Sequence, residues 1–355
     1  QIRLIILDLD NTIWGGVLGE DGITGIQIGG DYPGNAFYDF QKEIINLRSR
    51  GIAIAISSKN DERLVNNAFE SLKEMPLKMD MFSAKSIGWH EKALGIAEIT
   101  NKLNLGIYST LFIDDNLAEI QKVKNQFPEI KVLHLPKDPT NYVNYLRDFP
   151  YLKTLYTSKE DLNRIKSFKT LSNIKDLSKN KVDLNKYLTG LEIKIFLSRL
   201  NSSNLNRATQ LCQKTNQFNT TTIRYTENEL LELSKTGSQV ILIGHKTKDT
   251  DYENIGLMVI NENVKELRAN IVLYLLSCRV LGRGFEDCCI KLISNYYLKK
   301  GFKTLNAELI KNENNKPVHN LFKEVGFKKK LNTKWELLLL KEFEPPKHLK
   351  IYNKL

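Results

Sequence analysis

The stretch Ile5-Ile6-Leu7-Asp8-Leu9-Asp10-Asn11-Thr12 constrains this chain more than any other. An apolar run that reads as a buried strand ends in two aspartates spaced two apart. Strand residues i and i+2 face the same way, so both carboxylates point into one site at the strand's carboxyl end, where open parallel sheets place their ligands. Two anions that close repel unless a cation or a proton lies between them. The competing reading is an acidic turn that merely ends a strand.

Further along, the pattern repeats. Phe37, Phe40, Ile44, Ile45 and Leu47 predict an amphipathic helix over 36–50, closed by Gly51. A buried strand over 52–56 then runs into Ser57-Ser58-Lys59-Asn60. A short strand at 81–82, a helix over 91–103 carrying Lys92, a strand over 110–113 closed by Asp114-Asp115-Asn116, and a last strand at 131–133 complete the set. Strand–helix–strand order with continuous apolar runs predicts parallel pairing. Trp14 to Gly22 is glycine-rich without helical periodicity and suits a flap over the site.

Strand ends thus supply an acidic pair, a hydroxyl and a second acidic pair, with a lysine between them, which together make a phosphate and metal site. A carboxylate can attack phosphorus to give an aspartyl-phosphate. A second carboxylic acid can protonate the leaving oxygen and later activate water. Mg²⁺ lets an anion attack an anion and needs only one or two carboxylates, while a serine hydroxyl and a lysine ammonium hold phosphoryl oxygens. Ser57 and Ser58 compete for that hydroxyl role, and Asp115 also suits a helix cap.

In order along the chain, Asp8-Leu9-Asp10-Asn11-Thr12, Ser58, Lys92 and Asp114-Asp115 resemble the four motifs of the haloacid dehalogenase superfamily of phosphohydrolases. The resemblance implies Asp8 as nucleophile, Asp10 as general acid/base, and Ser58, which directly precedes Lys59-Asn60, with Lys92 as phosphate ligands. It implies a metal site drawn from Asp8, Asp10, Asp114 and Asp115.

At 355 residues, two domains are expected. Residues 1–150 carry 16 basic against 20 acidic side chains, leaving 36 against 21 for the rest. A basic second half attracts acidic or phosphorylated partners, but no zinc-ligand spacing or ribonucleoprotein pattern supports nucleic acid. The longest apolar run, 271–276, is too short to cross a bilayer, no signal peptide opens the chain, and a cytosolic protein is predicted. A chain whose first residues already form a strand reads as a piece of something longer. Cys212, Cys278, Cys288 and Cys289 show neither metal spacing nor a disulfide framework.

Polar residues 151–186 read as a linker, between domains at 1–150 and 187–345. In the second domain, strands are expected near 191–196, 238–244, 255–260 and 270–276, and a helix over 203–212. The polar stretch Gln213-Lys214-Thr215-Asn216-Gln217-Phe218-Asn219 follows that helix. After the last strand, Ser277-Cys278-Arg279-Val280-Leu281-Gly282-Arg283-Gly284 leads into a helix over 285–299. Glycines let backbone N–H groups approach an anion, and the helix start adds positive charge. With Arg279 and Arg283 alongside, that end favours a Cys278 thiolate.

An Arg-x-x-Gly-x-Gly loop resembles the pyrophosphate-binding motif of Gcn5-related N-acetyltransferases, and Asn315, Val318, Leu321, Phe322 and Gly326-Phe327 resemble that fold's last motif. Taken whole, residues 8–22, Ser58 to Asn60, Trp89 with Lys92, 112–116, Lys214 to Asn219 and Ser277 to Arg283 resemble the FkbH-like proteins. The fold class this implies is α/β: a Rossmann-like parallel-sheet haloacid dehalogenase domain, then a mixed-sheet Gcn5-related acyltransferase-like domain. The activity it implies takes the glyceryl group of 1,3-bisphosphoglycerate, with dephosphorylation, through a Cys278 thioester to the phosphopantetheine thiol of an acyl carrier protein in polyketide assembly. Phosphate contacts are then expected at Ser58, Lys92, Arg279, Gly282, Arg283 and Gly284, and substrate contacts at Asn60, Lys214, Asn216, Gln217 and Asn219. Two alternatives stand beside this: a Mg²⁺-dependent phosphatase with a non-acylating second domain, and a silent carrier-docking module. His245 and His319 stay outside the catalytic set.

Overall fold

Five parallel strands build the sheet of the first half: β1 (Leu4–Leu7), β2 (Ala53–Ser58), β3 (Ala84–Ile87), β4 (Thr110–Asp114) and β5 (Lys131–His134). Their order is β3-β2-β1-β4-β5. The central strand pairs on both sides, Leu4 opposite Ala53 and Thr110, and all four of its residues are buried. Side chains alternate between two apolar layers, Ile5, Leu7, Ile54 and Ile113 on one face and Leu4, Ile6, Ala53 and Phe112 on the other. Each such buried Leu, Ile or Phe contributes about 1.5–3 kcal/mol over an exposed one. The crossover between β1 and β4 sets the ends of β1, β2 and β4 side by side, which is where open α/β sheets gather their ligands.

The computed structural model describes residues 2–152, 159–178, 180–353 and 355. It divides into two compact units, Gln1–Asn173 and Ile174–Leu355. In the second, eight strands form a mixed sheet: β6 (Ile193–Arg199), β7 (Gln239–Thr247), β8 (Thr250–Asn263), β9 (Arg268–Leu276), β10 (Thr304–Glu308), β11 (Lys328–Lys329), β12 (Lys334–Leu338) and β13 (Leu349–Asn353). The order is β11-β12-β10-β9-β8-β7-β6-β13, with β10 parallel to β9 and β13 parallel to β6. The helix Phe285–Lys299 buries Phe285, Cys289, Ile290 and Ile293 against one face. Helices Leu205–Lys214 and Glu227–Lys235 cover Leu257, Val259, Leu273 and Leu275 on the other.

Several expectations change. The short strand expected at 81–82 is a single turn over Met79–Met81, and the strand starts at Ala84. As an edge strand it carries Lys85 and Ser86, which blur an apolar signature. Residues expected to be linker form helices, Lys159–Leu177 and Lys181–Gly190; residues 153–158 of that stretch lie outside the described residues. Phe168 and Leu171 enter the first unit's core, and Ile174 and Leu188 the second's. The second sheet also reaches past residue 345 to include β13. No helix among the described residues is long and apolar enough to cross a membrane.

Candidate active site

Asp8 follows β1 directly, its backbone N–H donating to the Ile113 carbonyl at 3.1 Å. Lys92, 5% exposed, opens the helix Lys92–Lys102 and reaches across to Asp8 Oδ2 at 3.0 Å and Asp114 Oδ2 at 2.6 Å. Asp114 closes β4 with no exposed surface, and its Oδ1 accepts from the Asn116 N–H at 2.8 Å. One carboxylate oxygen each from Asp8, Asp114 and Asp115 fall within 4.8 Å of one another. The neighbouring Thr12 hydroxyl reaches Asp115 Oδ1 at 3.5 Å.

Three carboxylates around one ammonium leave an excess of negative charge in a buried space, and the charges respond. Burial, with the Asp8 charge adding to it, pushes Asp114 up to about 7. Burial and Asp8 also raise Asp115. For Lys92 burial favours the neutral amine, but the facing charges of Asp8 and Asp114 outweigh it and raise its pKa. Asp8 Oδ1 is buried with no hydrogen-bond partner. An all-oxygen group with an orphaned carboxylate oxygen fits a hard divalent cation such as Mg²⁺, held by Asp8, Asp114 and Asp115.

Asp10 is held apart from that group. Its Oδ1 accepts from Trp14 Nε1 at 2.9 Å and the Leu18 N–H at 3.0 Å, and its Oδ2 from Asn60 Nδ2 at 2.9 Å. The side chain expected among the metal ligands is therefore turned toward the Trp14–Gly22 stretch. Burial, with Asp8 adding, raises its pKa against the opposing hydrogen bonds from Leu18 and Trp14, which suits a group that gives and takes a proton. Asn60, expected at substrate, has its amide on Asp10 instead. Trp14 is buried edge-on against Phe69, with ring centroids 5.8 Å apart, and Leu18 is buried too, so these two side chains anchor the expected flap in the unit while Gly19, Glu20 and Asp21 are exposed. The role of Trp14 is missing from the sequence reading; its place four residues after Asp10 is the one available signal.

Of the two serines, Ser57 donates its hydroxyl to the Lys92 carbonyl at 3.3 Å, so it braces the start of the lysine's helix. Ser58, on the opposite face of β2, is the strand's last residue and is buried. A Cβ on Gly95 would lie 2.8 Å from Ser57 Oγ and 3.0 Å from Ser86 Oγ. Glycine there lets the Lys92 helix approach the sheet closely.

In the second unit, β9 ends at Leu276 and the Ser277 N–H donates to the Ile255 carbonyl at 2.7 Å. Cys278–Val280 make a single turn, and Gly282 and Gly284 take φ of +78° and +84° before the helix at Phe285. Cys278 is half-buried, whereas Cys212, Cys288 and Cys289 are buried. Burial raises their thiols, Cys212 to about 11 and Cys288 to about 12, with Cys289 well above the usual range.

The corner's expected phosphate ligands turn inward. Arg279 pairs with Glu253 and donates to Ser277 Oγ at 3.2 Å. Arg283, 1% exposed, donates to the Arg279 carbonyl at 2.9 Å. The Gly282 N–H donates to the Glu286 carboxylate, so a side chain of the protein itself occupies that amide. Gly284 is the helix N-cap, and the His348 ring meets the neighbouring Arg283 carbonyl at 3.0 Å.

The polar stretch after residue 213 lies along the end of β9. Leu276 N–H donates to the Phe218 carbonyl and Thr220 N–H to the Tyr274 carbonyl, each at 3.0 Å. Asn219 is spent on its own turn, accepting from the Thr222 N–H at 2.8 Å, while Asn216 accepts from the Arg224 guanidinium. Lys214 is exposed, and Gln217 Oε1 is buried without a hydrogen-bond partner. Of the histidines left aside, His245 is 1% exposed, and burial, with the charges of Arg283 and Arg279, lowers its pKa to about 3. His319 meets the Asn312 carbonyl at 3.2 Å.

Together these features define a two-unit α/β protein with an acidic, lysine-bridged pocket in its parallel-sheet unit and a cysteine at a glycine corner of its mixed-sheet unit. No protein-family model and no curated protein matches the chain. Among solved structures it is similar to the N-terminal part of a Bacteroides fragilis protein containing a phosphatase domain complexed with Mg, at 43% identity over 43% of this chain and a TM-score of 0.42. That match spans 41% of the Bacteroides chain. The chain is also similar to a Vibrio cholerae spermidine N-acetyltransferase in complex with CoA and spermine, at 18% identity over 41% of this chain and 95% of that one, TM-score 0.32. A third is the Escherichia coli ribosomal-protein-S18-alanine N-acetyltransferase, at 12% identity over 42% and 97%, TM-score 0.33.

Proposed function

We propose that this chain is an FkbH-like enzyme that takes the glyceryl group of 1,3-bisphosphoglycerate to the phosphopantetheine thiol of an acyl carrier protein in polyketide biosynthesis, with dephosphorylation. The observation that carries the phosphatase half is the grouping of Asp8, Asp114 and Asp115 around Lys92. Asp8 attacks phosphorus through a carboxylate oxygen, and the bond from phosphorus to the ester oxygen breaks. Asp10 gives its proton to that leaving oxygen. Asp10 then takes a proton from water, whose oxygen attacks the aspartyl-phosphate, releasing inorganic phosphate and restoring Asp8. Ser58 and Lys92 hold phosphoryl oxygens. Mg²⁺, when bound by Asp8, Asp114 and Asp115, neutralises charge at the phosphoryl group.

The transfer half rests on Cys278, the half-exposed thiol beside three buried ones. Its sulfur attacks the acyl-phosphate carbonyl carbon, the carbon–oxygen bond to phosphate breaks, and a glyceryl thioester forms as the thiol proton passes to solvent. The carrier's thiol then attacks the same carbon and Cys278 leaves. Intact-mass measurement of chain and carrier after incubation with 1,3-bisphosphoglycerate and Mg²⁺ tests the scheme: a glyceryl adduct appears on both, and a Cys278→Ala chain carries none.

A second reading, a Mg²⁺-dependent phosphatase with a non-acylating second unit, is favoured by the inward Arg279 and Arg283 and by Glu286 on the Gly282 amide. Phosphate release without any adduct is its signature. A chain giving neither signal is a silent carrier-docking module.

A further inference from the structure

Glu253 lies on β8, 7% exposed, and receives two guanidinium groups. Arg279 binds it through both terminal nitrogens, Nη1 at 3.3 Å, and Arg207 through Nη2 at 3.0 Å. Arg207 also donates from Nε to the Asn254 carbonyl at 3.1 Å. On the other side, the Arg279 guanidinium holds Ser277 Oγ and the Arg279 carbonyl receives Arg283. Cys278 thus sits between two residues, Ser277 and Arg279, fixed by one guanidinium that Glu253 itself fixes. Arg207 belongs to the helix Leu205–Lys214, which leads into the stretch lying along β9. One carboxylate therefore ties the cysteine corner to the segment beside it.

We propose that Glu253 is a positioning residue for Cys278, clamping the Ser277–Gly284 corner so that the thiol is presented in one place. The inference rests on the reading of Cys278 as the acyl carrier of this chain, and its test separates the two. A glutamine at 253 keeps the shape but removes the charge, leaving two guanidinium groups without the carboxylate they share. Breaking a buried ion pair from one side is far more disruptive than losing a surface pair. Aspartate keeps the charge on a shorter stem.

The experiment compares the full chain with its Glu253→Gln and Glu253→Asp variants by hydrogen exchange of backbone amides, by alkylation with iodoacetamide, and by acyl transfer. Glu253→Gln should speed exchange of the 277–284 amides by about tenfold or more, with β9 and the 285–299 helix unchanged. The thioester-forming kcat should fall by about tenfold with KM within about threefold. Glu253→Asp should recover most of both. Exchange of the corner within about twofold of the parent in Glu253→Gln overturns the proposal. So does alkylation of Cys212, Cys288 and Cys289 in that variant, since it marks a general loosening of the unit. If the parent chain forms no Cys278 thioester, the reading of the cysteine fails, while the exchange comparison still decides whether Glu253 clamps the corner.

Discussion

Lys92 stands between Asp8 and Asp114, its ammonium 3.0 Å from one carboxylate and 2.6 Å from the other. Remove the ammonium and two buried carboxylates face each other beside a third. Lys92→Met should lower stability by roughly 3–5 kcal/mol in the absence of divalent cations. Mg²⁺ should then raise the thermal unfolding midpoint of this variant more than that of the parent, because the ion replaces the missing charge. Equal Mg²⁺ shifts in the two proteins would place the ion elsewhere.

Asp8→Asn should lower phosphate release by about a thousandfold or more, since an amide cannot form the aspartyl-phosphate. Circular dichroism should show the fold retained. Full phosphate release by this variant would remove Asp8 from the nucleophile's role.

Asn60 donates to Asp10 Oδ2 at 2.9 Å and so orients the proton donor. Asn60→Ala should reduce kcat of phosphate release by about tenfold while KM moves little, because the lost contact is to the acid. A rise in KM at constant kcat would instead return Asn60 to substrate binding.

In the native chain Cys278 alone of the four cysteines should be alkylated by iodoacetamide, and denaturant should expose the other three. Burial holds those thiols protonated, at about 11 for Cys212 and about 12 for Cys288. Peptide mass spectrometry of the alkylated chain reads the result directly, and a modified Cys288 with an unmodified Cys278 would contradict the structure.

His245 gives the second unit an acid sensitivity. Its folded pKa lies at about 3, against an unfolded value of about 6.5. Between those values the unfolded chain binds a proton that the folded chain does not. Stability is therefore complete above about 6.5 and lost as pH falls toward 3, by up to about 1.4 kcal/mol per pH unit. Thermal unfolding followed from pH 7 to pH 4 should show this decline, and His245→Leu should flatten it.

The first unit was largely legible because its central strands are buried on both faces and so appear as unbroken apolar runs ending in polar residues. Asp8, Ser58, Lys92, Asp114 and Asp115 each stand at such an end or at the helix start between two. In the second unit the helix Phe285–Lys299 follows from its glycine corner. Edge strands were harder: β3 sets Lys85 and Ser86 side by side between Ala84 and Ile87, and β13 is five residues long at the sheet margin. What local pattern cannot reveal is where a long polar side chain spends its hydrogen bonds. Arg279 reads as a phosphate ligand from its own motif, yet its partner Glu253 is 26 positions away. Asn60 likewise meets Asp10 across 50 positions.

The grip on Asp10 joins two properties of the first unit. Trp14 and Leu18, which hold its carboxyl, are both buried in the unit's hydrophobic core. Any shift in that packing would pull the proton donor out of line, so core packing and turnover share a single latch. Loosening the packing of Trp14 or Leu18 by mutation would therefore slow the chemistry, even with every acidic residue intact.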